Sequence, residues 1–172
     1  MELPFDVVDL EPADHPEPGD TAPGFTRPLV TAEYWADRSL ASLAAEGPLL
    51  LVFHPMDGAF PTTYVWNEVA DRGWADRDDL AVVGLSTSTP YEHRRLIDDT
   101  GDDPPARLFS DPQNHVAERY GVAHDLDGMT GVAEPRPAVF LVDDDRTVTY
   151  AWVATEWPEF PPYDAIEDAL PG

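Results

Sequence analysis

Three continuous apolar segments constrain the fold of this chain more than any other feature. They lie at residues 49–53, 80–86 and 137–143, and each is short and rich in Leu, Val and Phe. Such runs, without polar alternation, are typical of strands that are buried on both faces of a sheet. The sequence therefore predicts a central sheet that is covered on both sides.

The connections between these segments indicate how the strands are joined. Pro55, Gly58 and Pro61 interrupt the chain after the first run, and a helix is predicted from about Thr62 to Arg72. Two buried strands separated by a helix form a βαβ unit with parallel strands. After the third run, a turn and the alternating residues 147–153 predict an antiparallel hairpin. The predicted class is α/β, with helices on both sides of a mixed sheet.

Further helices are predicted from their start signals. Thr31 is expected to cap a helical piece through residues 34–43, and Thr89 before Pro90 begins a helix that ends near residue 100. Asp111 before Pro112 repeats that signal and predicts a helix up to Gly121, after a short strand at residues 106–109. A terminal helix is expected at residues 163–170.

The charge composition points to an unusual solvent environment. The chain has 34 acidic residues and 10 basic ones, all of them Arg, and its formal net charge is -24. Hydrophobic residues still make up 42% of the sequence, which indicates a folded domain rather than an acidic disordered chain. Acidity without lysine predicts a halophilic protein, because molar salt screens surface repulsion. The same charge argues against nucleic acid or an anionic membrane as partner.

The domain organisation is predicted to be simple. Residues 1–18 are expected to form an extended acidic segment, and residues 19–172 one domain. The start of the sequence has no basic and apolar signal pattern, and no window resembles a membrane span, so a cytoplasmic location is expected. No cysteine is present, which excludes disulfides and zinc–thiolate sites. The His and carboxylate spacings fit no known ligand motif, so neither a metal nor a cofactor is expected.

Three sequence elements resemble one protein family. Residues 19–25, GDTAPGF, resemble the "GDxAPDF" opening of the peroxiredoxin-like redoxins, which include alkyl hydroperoxide reductases and thiol-specific antioxidant proteins. Residues 50–55 resemble their "VLxFYP" strand, with His54 in place of Tyr, and residues 137–143 resemble their "TFLID" strand. The resemblance implies a thioredoxin-like three-layer sandwich and, by ancestry, an antioxidant thiol oxidoreductase.

The family motif P-x-x-x-T-x-x-C is incomplete here. Laid over Pro55, it places Ala59 at the Thr position and Thr62 at the reactive cysteine; a second register places Thr63 there. The family's arginine position holds Pro137, and Arg136 lies one residue earlier. Pro137 resembles the cis-proline of thioredoxin-like relatives, so a cis Arg136–Pro137 bond is expected.

The missing cysteine decides the predicted function. Peroxide reduction needs a thiolate that becomes a sulfenic acid, and a Thr hydroxyl has no such oxidation state. We therefore expect a binding or interaction protein without peroxidase activity. The alternative is an enzyme with non-thiol chemistry, in which His54 would activate Thr62 beside Arg136.

Each candidate site residue also has a structural interpretation. Thr62 or Thr63 is expected to cap the helix, and Arg136 either holds an anion with the helix N-terminus or pairs with a surface carboxylate. The expected partner is an unknown protein or a small anionic ligand, and a homodimer is possible through a C-terminal aromatic cluster. That cluster, Trp152, Trp157, Phe160 and Tyr163, equally fits packing on the chain's own sheet.

Overall fold

A computed structural model describes residues 6–100, 107–126 and 129–172. The strands, in chain order, are β1 (Val8–Asp9), β2 (Thr26–Val30), β3 (Trp35–Ser39), β4 (Leu49–Phe53), β5 (Ala81–Ser86), β6 (Leu108–Ser110), β7 (Ala123–His124), β8 (Glu134–Pro135), β9 (Ala138–Val142), β10 (Val148–Val153) and β11 (Glu156–Trp157). The α-helices are α1 (Leu40–Ala44), α2 (Phe60–Asp71), α3 (Pro90–Asp99), α4 (His115–Arg119) and α5 (Tyr163–Ala169), and a short 3-10 helix spans Trp74–Asp76.

Seven of these strands form one mixed sheet in the order β10-β9-β4-β5-β6-β2-β3. Strand β5 runs parallel to β4 and β6, while β9 runs antiparallel to both β4 and β10. Strands β2 and β3 extend the sheet as an antiparallel hairpin beyond β6. The predicted α/β class, the parallel βαβ unit and the C-terminal hairpin are confirmed, and the arrangement is thioredoxin-like.

The central strands divide their side chains between two cores. Along β4, Leu49, Leu51 and Phe53 pack into the core that also holds α1 and α4, while Leu50 and Val52 pack into the core under α2, α3 and α5. Each such side chain contributes about 1.5–3 kcal/mol when fully buried. The unbroken apolar pattern thus reflects a sheet between two helical layers.

Helix α2 packs very close to strand β5 of the sheet. A Cβ atom at Gly84 in β5 would lie 2.4 Å from Trp66 Cζ2 and 2.9 Å from His54 Nε2. Only a glycine allows the Trp66 ring of α2 to approach the strand this closely. Helix α2 is therefore seated tightly over the carboxyl ends of β4 and β5.

The predicted helix over residues 31–43 is wrong in its first half. Residues 35–39 form strand β3, which pairs with β2 from Thr26 to Val30 at the edge of the sheet. The helix begins only at Leu40, where the Ser39 hydroxyl accepts a hydrogen bond from the Ser42 N–H. Pairing with β2 overrides the local helical pattern, because edge pairing is a tertiary interaction.

Two other sequence expectations are also corrected. Helix α4 begins at His115 and not at Pro112, because Asp111 to Asn114 forms a turn in which the Asn114 N–H donates to the Asp111 carbonyl. Within the described residues the cis peptide bond is Trp157–Pro158, so the expected cis Arg136–Pro137 bond is wrong. The Arg136 N–H donates to Val122 O, and Pro137 O accepts from Ala154 N–H, which keeps this stretch extended between two partners.

Both ends of the described chain, from residue 6 and up to residue 172, are packed on the domain. Strand β1 pairs with β11, and Leu10 N–H donates to Thr155 O over 2.9 Å. Phe160 contacts Phe60 and Tyr64, and Tyr163 contacts Trp74. The C-terminal aromatic cluster therefore packs on its own chain. Parts of the predicted N-terminal segment and of the strand at residues 106–109 lie outside the described residues. Among the described helices, none combines the length and apolarity that a membrane crossing requires.

Candidate functional site

The candidate site is the loop of residues 54–59 that joins the carboxyl end of β4 to α2. Helix α2 begins at Phe60, with Ala59 as an N-cap residue that makes no side-chain capping bond. Pro61 lies in the first turn, where its fixed φ and missing N–H suit a helix start. Because the helix begins two residues before Thr62, the prediction that Thr62 or Thr63 caps it is wrong.

The two threonines occupy different environments. Thr62 is 0% exposed, and its hydroxyl lies 2.8 Å from Pro55 O and 3.2 Å from Met56 O, so its proton is donated to the loop carbonyls. Thr63 is exposed on the next helical position. Thr62 is therefore a buried residue that ties the first turn of α2 to the preceding loop.

His54 is completely buried beside Thr62. Its Nδ1 lies 2.8 Å from Pro55 O, and a carbonyl accepts but never donates, so Nδ1 carries the proton. Burial lowers the His54 pKa to about 4, against the opposing charge of Asp57. The ring is therefore neutral, and its Nε2, without a hydrogen-bond partner in the described part of the chain, contacts the edge of Trp66.

This geometry limits what His54 does for Thr62. The Thr62 Oγ1 lies 3.3 Å from His54 Nδ1, which is within reach of a nucleophile–base pair. A base must accept the proton at that nitrogen, and Nδ1 already carries one. The pair consequently acts as a hydrogen-bonding unit around Pro55 O rather than as an activated hydroxyl.

A buried ion pair holds the middle of the loop. Asp57 Oδ2 lies 2.7 Å from His93 Nδ1 on α3, and His93 Nε2 lies 2.9 Å from Phe109 O on β6. Both ring nitrogens face acceptors, so the doubly protonated imidazolium satisfies both contacts. The Asp57 N–H also donates to Ser88 Oγ over 2.8 Å. The loop is thereby bound to α3 and to the strand ends beneath it.

A second carboxylate fixes the loop from the opposite side. Glu134 on β8 is 1% exposed, and its Oε2 accepts the Met56 N–H over 2.8 Å. Together with the hydrogen bonds of Thr62, His93 and Ser88, the Glu134 bond attaches the loop to its surroundings at several successive positions. We conclude that this segment is rigid in the folded chain, because opening it would uncover several buried polar groups at once.

Arg136 lies in a separate environment. Its side chain is nearly buried, and Nη1 donates to Glu11 O over 2.9 Å and to Ala154 O over 3.2 Å. Burial lowers the pKa of its guanidinium, which the Glu11 charge partly opposes. Among the described residues, no hydrogen bond joins Arg136 to Thr62, Thr63 or His54, and it forms no ion pair.

The remaining candidate positions complete the picture. Pro55 is buried and Ala59 half-buried, so neither contributes a polar side chain to the loop. No group of three or more His, Asp or Glu side chains in the described ranges is arranged to hold a metal ion. The Asp57–His93 and Glu134–Met56 contacts were missed by sequence reasoning, because their partners lie 36 and 78 residues apart.

Comparison with protein families explains this architecture. The model of the AhpC/TSA family matches residues 18–151, which is most of the chain. The chain belongs to the AhpC/TSA family. Within that family it is a member without cysteine.

Solved structures of AhpC/TSA-type proteins share the fold. The chain is similar to peroxidoxin BcpB from Mycobacterium tuberculosis, with 25% identity and a TM-score of 0.71 over 90% of this chain and 94% of that one. It is similar to a thiol peroxidase from Chromobacterium violaceum, with 25% identity and a TM-score of 0.71 over 91% and 87%. Enterococcus faecalis AhpC, 13% identical, superposes with a TM-score of 0.74 over 90% of both chains. No curated protein sequence matches the chain.

Proposed function

We propose that this AhpC/TSA protein is a binding or interaction protein without thiol peroxidase activity. One observation carries the proposal: the Thr62 hydroxyl is 0% exposed and donates to Pro55 O, at a position where peroxide reduction needs a thiolate. Cleavage of the peroxide O–O bond oxidises that thiolate to sulfenic acid, and a second thiol then reduces it. A hydroxyl supplies neither the nucleophile nor the electron pair for this cycle.

Hydrogen peroxide consumption tests the proposal directly. The purified chain, in molar KCl with thioredoxin, thioredoxin reductase and NADPH, is expected to consume peroxide no faster than buffer. A cysteine-containing AhpC/TSA protein that is active in the same salt is the positive control. Azide is added to inhibit any contaminating catalase. Turnover that rises in proportion to the concentration of this chain would overturn the proposal.

A second candidate function is an enzyme with non-thiol chemistry at Thr62, His54 and Arg136. The 3.3 Å distance between Thr62 Oγ1 and His54 Nδ1 favours it, while the proton on Nδ1 opposes it. A fluorophosphonate probe labels activated hydroxyls, and mass spectrometry reports the labelled residue. We expect no label on Thr62 under native salt. A label on Thr62 that is lost in His54→Gln would instead establish the enzyme.

We also propose that the chain forms a homodimer, so that the binding partner is a second copy of the chain. Tyr34, Trp35 and Tyr91 are 64%, 38% and 75% exposed, and Trp35 lies on edge strand β3. Aromatic side chains at a sheet edge suit a contact between copies. Light scattering in molar KCl measures the mass, and Trp35→Ser should lower it to that of the monomer if this edge is the interface. A dimer mass unchanged by Trp35→Ser would exclude it.

The proposed location is a salt-rich cytoplasm. The formal net charge of -24, with Arg as the whole basic complement, supports it, since molar salt screens such a surface. Cell fractionation with an antibody against the chain tests the location. Recovery in the membrane or extracellular fraction would contradict it.

A further inference from the structure

A cavity of about 320 Å³ lies between the N-terminal strap, residues 6–15, and the end of β10. Its wall is mainly aliphatic and includes Leu10, Pro12, Ala13 and Val153, and Arg136 lines the same space. A cavity with an apolar wall and one cationic group is the usual form of a small-ligand site. The cavity is also distinct from the loop around Thr62, since its lining comes from other segments.

The Glu11 charge acts on Arg136 only from beyond ion-pair distance. The Arg136 side chain is 4% exposed, and no carboxylate lies within ion-pair distance in the described part of the chain. Burial of a guanidinium without a counterion costs several kcal/mol. In a chain with 34 acidic residues, a direct ion-pair partner would be easy to supply, so the lack of one among the described residues is informative.

The hydrogen bonds of Arg136 leave one edge of the guanidinium available. Nη1 is occupied by Glu11 O and Ala154 O, which fix the plane of the group. Nε is buried and has no partner among the described residues, and no hydrogen bond from Nη2 is described there. The Nε–Nη2 edge presents two parallel N–H groups, which is the geometry that binds a carboxylate in bidentate fashion.

We propose that this cavity binds a small aliphatic monocarboxylate, with its carboxylate on Arg136 and its alkyl group between the strap and Val153. This inference rests on the proposed function as a binding protein and names the class of ligand. A single negative charge balances a single guanidinium. A dianion would leave excess charge in an apolar cavity that already has the Glu11 side chain in its wall.

The strap must shift for a carboxylate to reach the Nε–Nη2 edge, because Nε has no contact with solvent, and so none with the open part of the cavity, in the structure. The later part of the strap is packed on the domain, with Ala13 against the core and His15 against Phe140. The earlier part, residues 8–11, is held by fewer contacts: the Leu10 N–H to Thr155 O bond, the two-residue pairing of β1 with β11, and the Arg136 to Glu11 O bond. Such short pairing opens at low free-energy cost, so the site is accessible through local opening.

Isothermal titration calorimetry with butyrate tests the proposal on the full chain at constant molar KCl. Wild type is expected to bind butyrate with a stoichiometry of one. Arg136→Gln should weaken binding at least tenfold, because charge-assisted hydrogen bonds contribute about 1.5–3 kcal/mol. Arg95→Gln is the matched control, since it removes the same charge from a side chain that is 84% exposed on α3, and its affinity should equal that of wild type.

A comparison on the wild-type protein keeps the test valid even if Arg136→Gln does not fold. Butyramide has the shape of butyrate without the charge, and we expect it to bind at least tenfold more weakly. Hydrogen exchange at the Leu10 amide should also slow when butyrate is bound, because the ligand packs against the strap and opposes its further opening. Equal affinities for butyrate and butyramide, no binding of butyrate, or equal loss in Arg95→Gln would each overturn the proposal. None of these results depends on peroxide turnover, so they leave the proposed function to its own assay.

Discussion

Thr62, one of the two threonines that could align with the family's cysteine, is a structural residue in this chain. Its hydroxyl donates to Pro55 O, and the neighbouring His54 ring donates to the same oxygen. Two side chains therefore satisfy one buried carbonyl at the end of β4. The polar side chains of this site therefore serve hydrogen bonding to the backbone.

Thr62→Val should destabilise the fold by about 1–3 kcal/mol, because the shape is kept while a buried donor to two carbonyls is lost. Thr63→Val is the matched control at the exposed neighbouring position and should change stability by less than about 0.5 kcal/mol. Urea unfolding at fixed KCl measures both variants. Equal effects of the two substitutions would contradict the assigned role of Thr62.

His54 should make stability depend on pH. Burial lowers its folded-state pKa to about 4 from the ordinary value of 6.5, so the unfolded chain binds the proton more readily. Above pH 6.5 the ring is neutral in both states and does not reduce the free energy of unfolding. As the pH falls, the unfolded chain is protonated first, and the free energy of unfolding decreases by about 3 kcal/mol at pH 4. Carboxylates titrate in the same pH range, so the contribution of His54 is measured as the difference in unfolding free energy between wild type and a variant without the ring.

The matched protein is His54→Gln, which lacks the titrating ring. Between pH 7.5 and 4, wild type should lose about 3 kcal/mol more unfolding free energy than His54→Gln, as measured by urea titration at each pH. Parallel pH profiles for the two proteins would show that His54 is protonated as easily in the folded chain as in the unfolded chain.

At the scale of elements, the β4–α2 loop is attached to three parts of the structure. Asp57 binds His93 of α3, and Met56 binds Glu134 of β8. Helix α3 itself is set by a capping box, in which the Thr89 hydroxyl accepts from Glu92 N–H and the Glu92 carboxylate accepts from Thr89 N–H. The start of α3 therefore places His93, one turn later, against the loop.

Asp57→Asn should destabilise the protein by about 3–5 kcal/mol, because it leaves the buried imidazolium of His93 without its counterion. Asp99→Asn, in the exposed Arg95–Asp99 pair, should cost less than about 1 kcal/mol. Guanidinium unfolding compares the two variants at equal ionic strength. A loss below 1 kcal/mol for Asp57→Asn would mean that the pair is not charged in the folded protein.

Some elements were predictable and others were not. The helix α3 start at Pro90 and strands β4, β5 and β9 follow from local signals, a cap with proline or an apolar run. Strand β3 has no such signal in WADRS, and it exists because β2 offers an edge for pairing. Local sequence patterns identify the helices and strands whose buried residues recur along the chain. They miss a strand that forms only because a neighbouring strand offers an edge for pairing.

At the scale of the whole molecule, excess negative charge is the main electrostatic term. Arg72, the residue that follows α2, binds Glu68, Asp164 and Glu167 and so joins α2 to α5. Such exposed pairs contribute little each, because solvent screens them. We expect salt to screen the remaining repulsion among the acidic side chains.

The folded state should therefore lose stability on dilution of KCl from about 2 M to 0.1 M, as the screening length grows from about 3 Å or less to about 10 Å. Circular dichroism during stepwise dialysis should show loss of helix signal, recovered by KCl or NaCl alike. Sucrose at equal osmolality is the control and should not replace the salt. Full secondary structure in dilute buffer would contradict the halophilic interpretation.

The sequence by itself determined the two-sided burial of the central sheet, the acidic surface and the absence of a thiol, because each is a property of residue types along the chain. The tertiary structure alone decided the environment of the site. Thr62 became a buried donor, and Asp57 met His93 across 36 residues. Arg136 was enclosed by a strap 125 residues away, at Glu11 O. These contacts join distant segments, and no local pattern carries the geometry that brings them together.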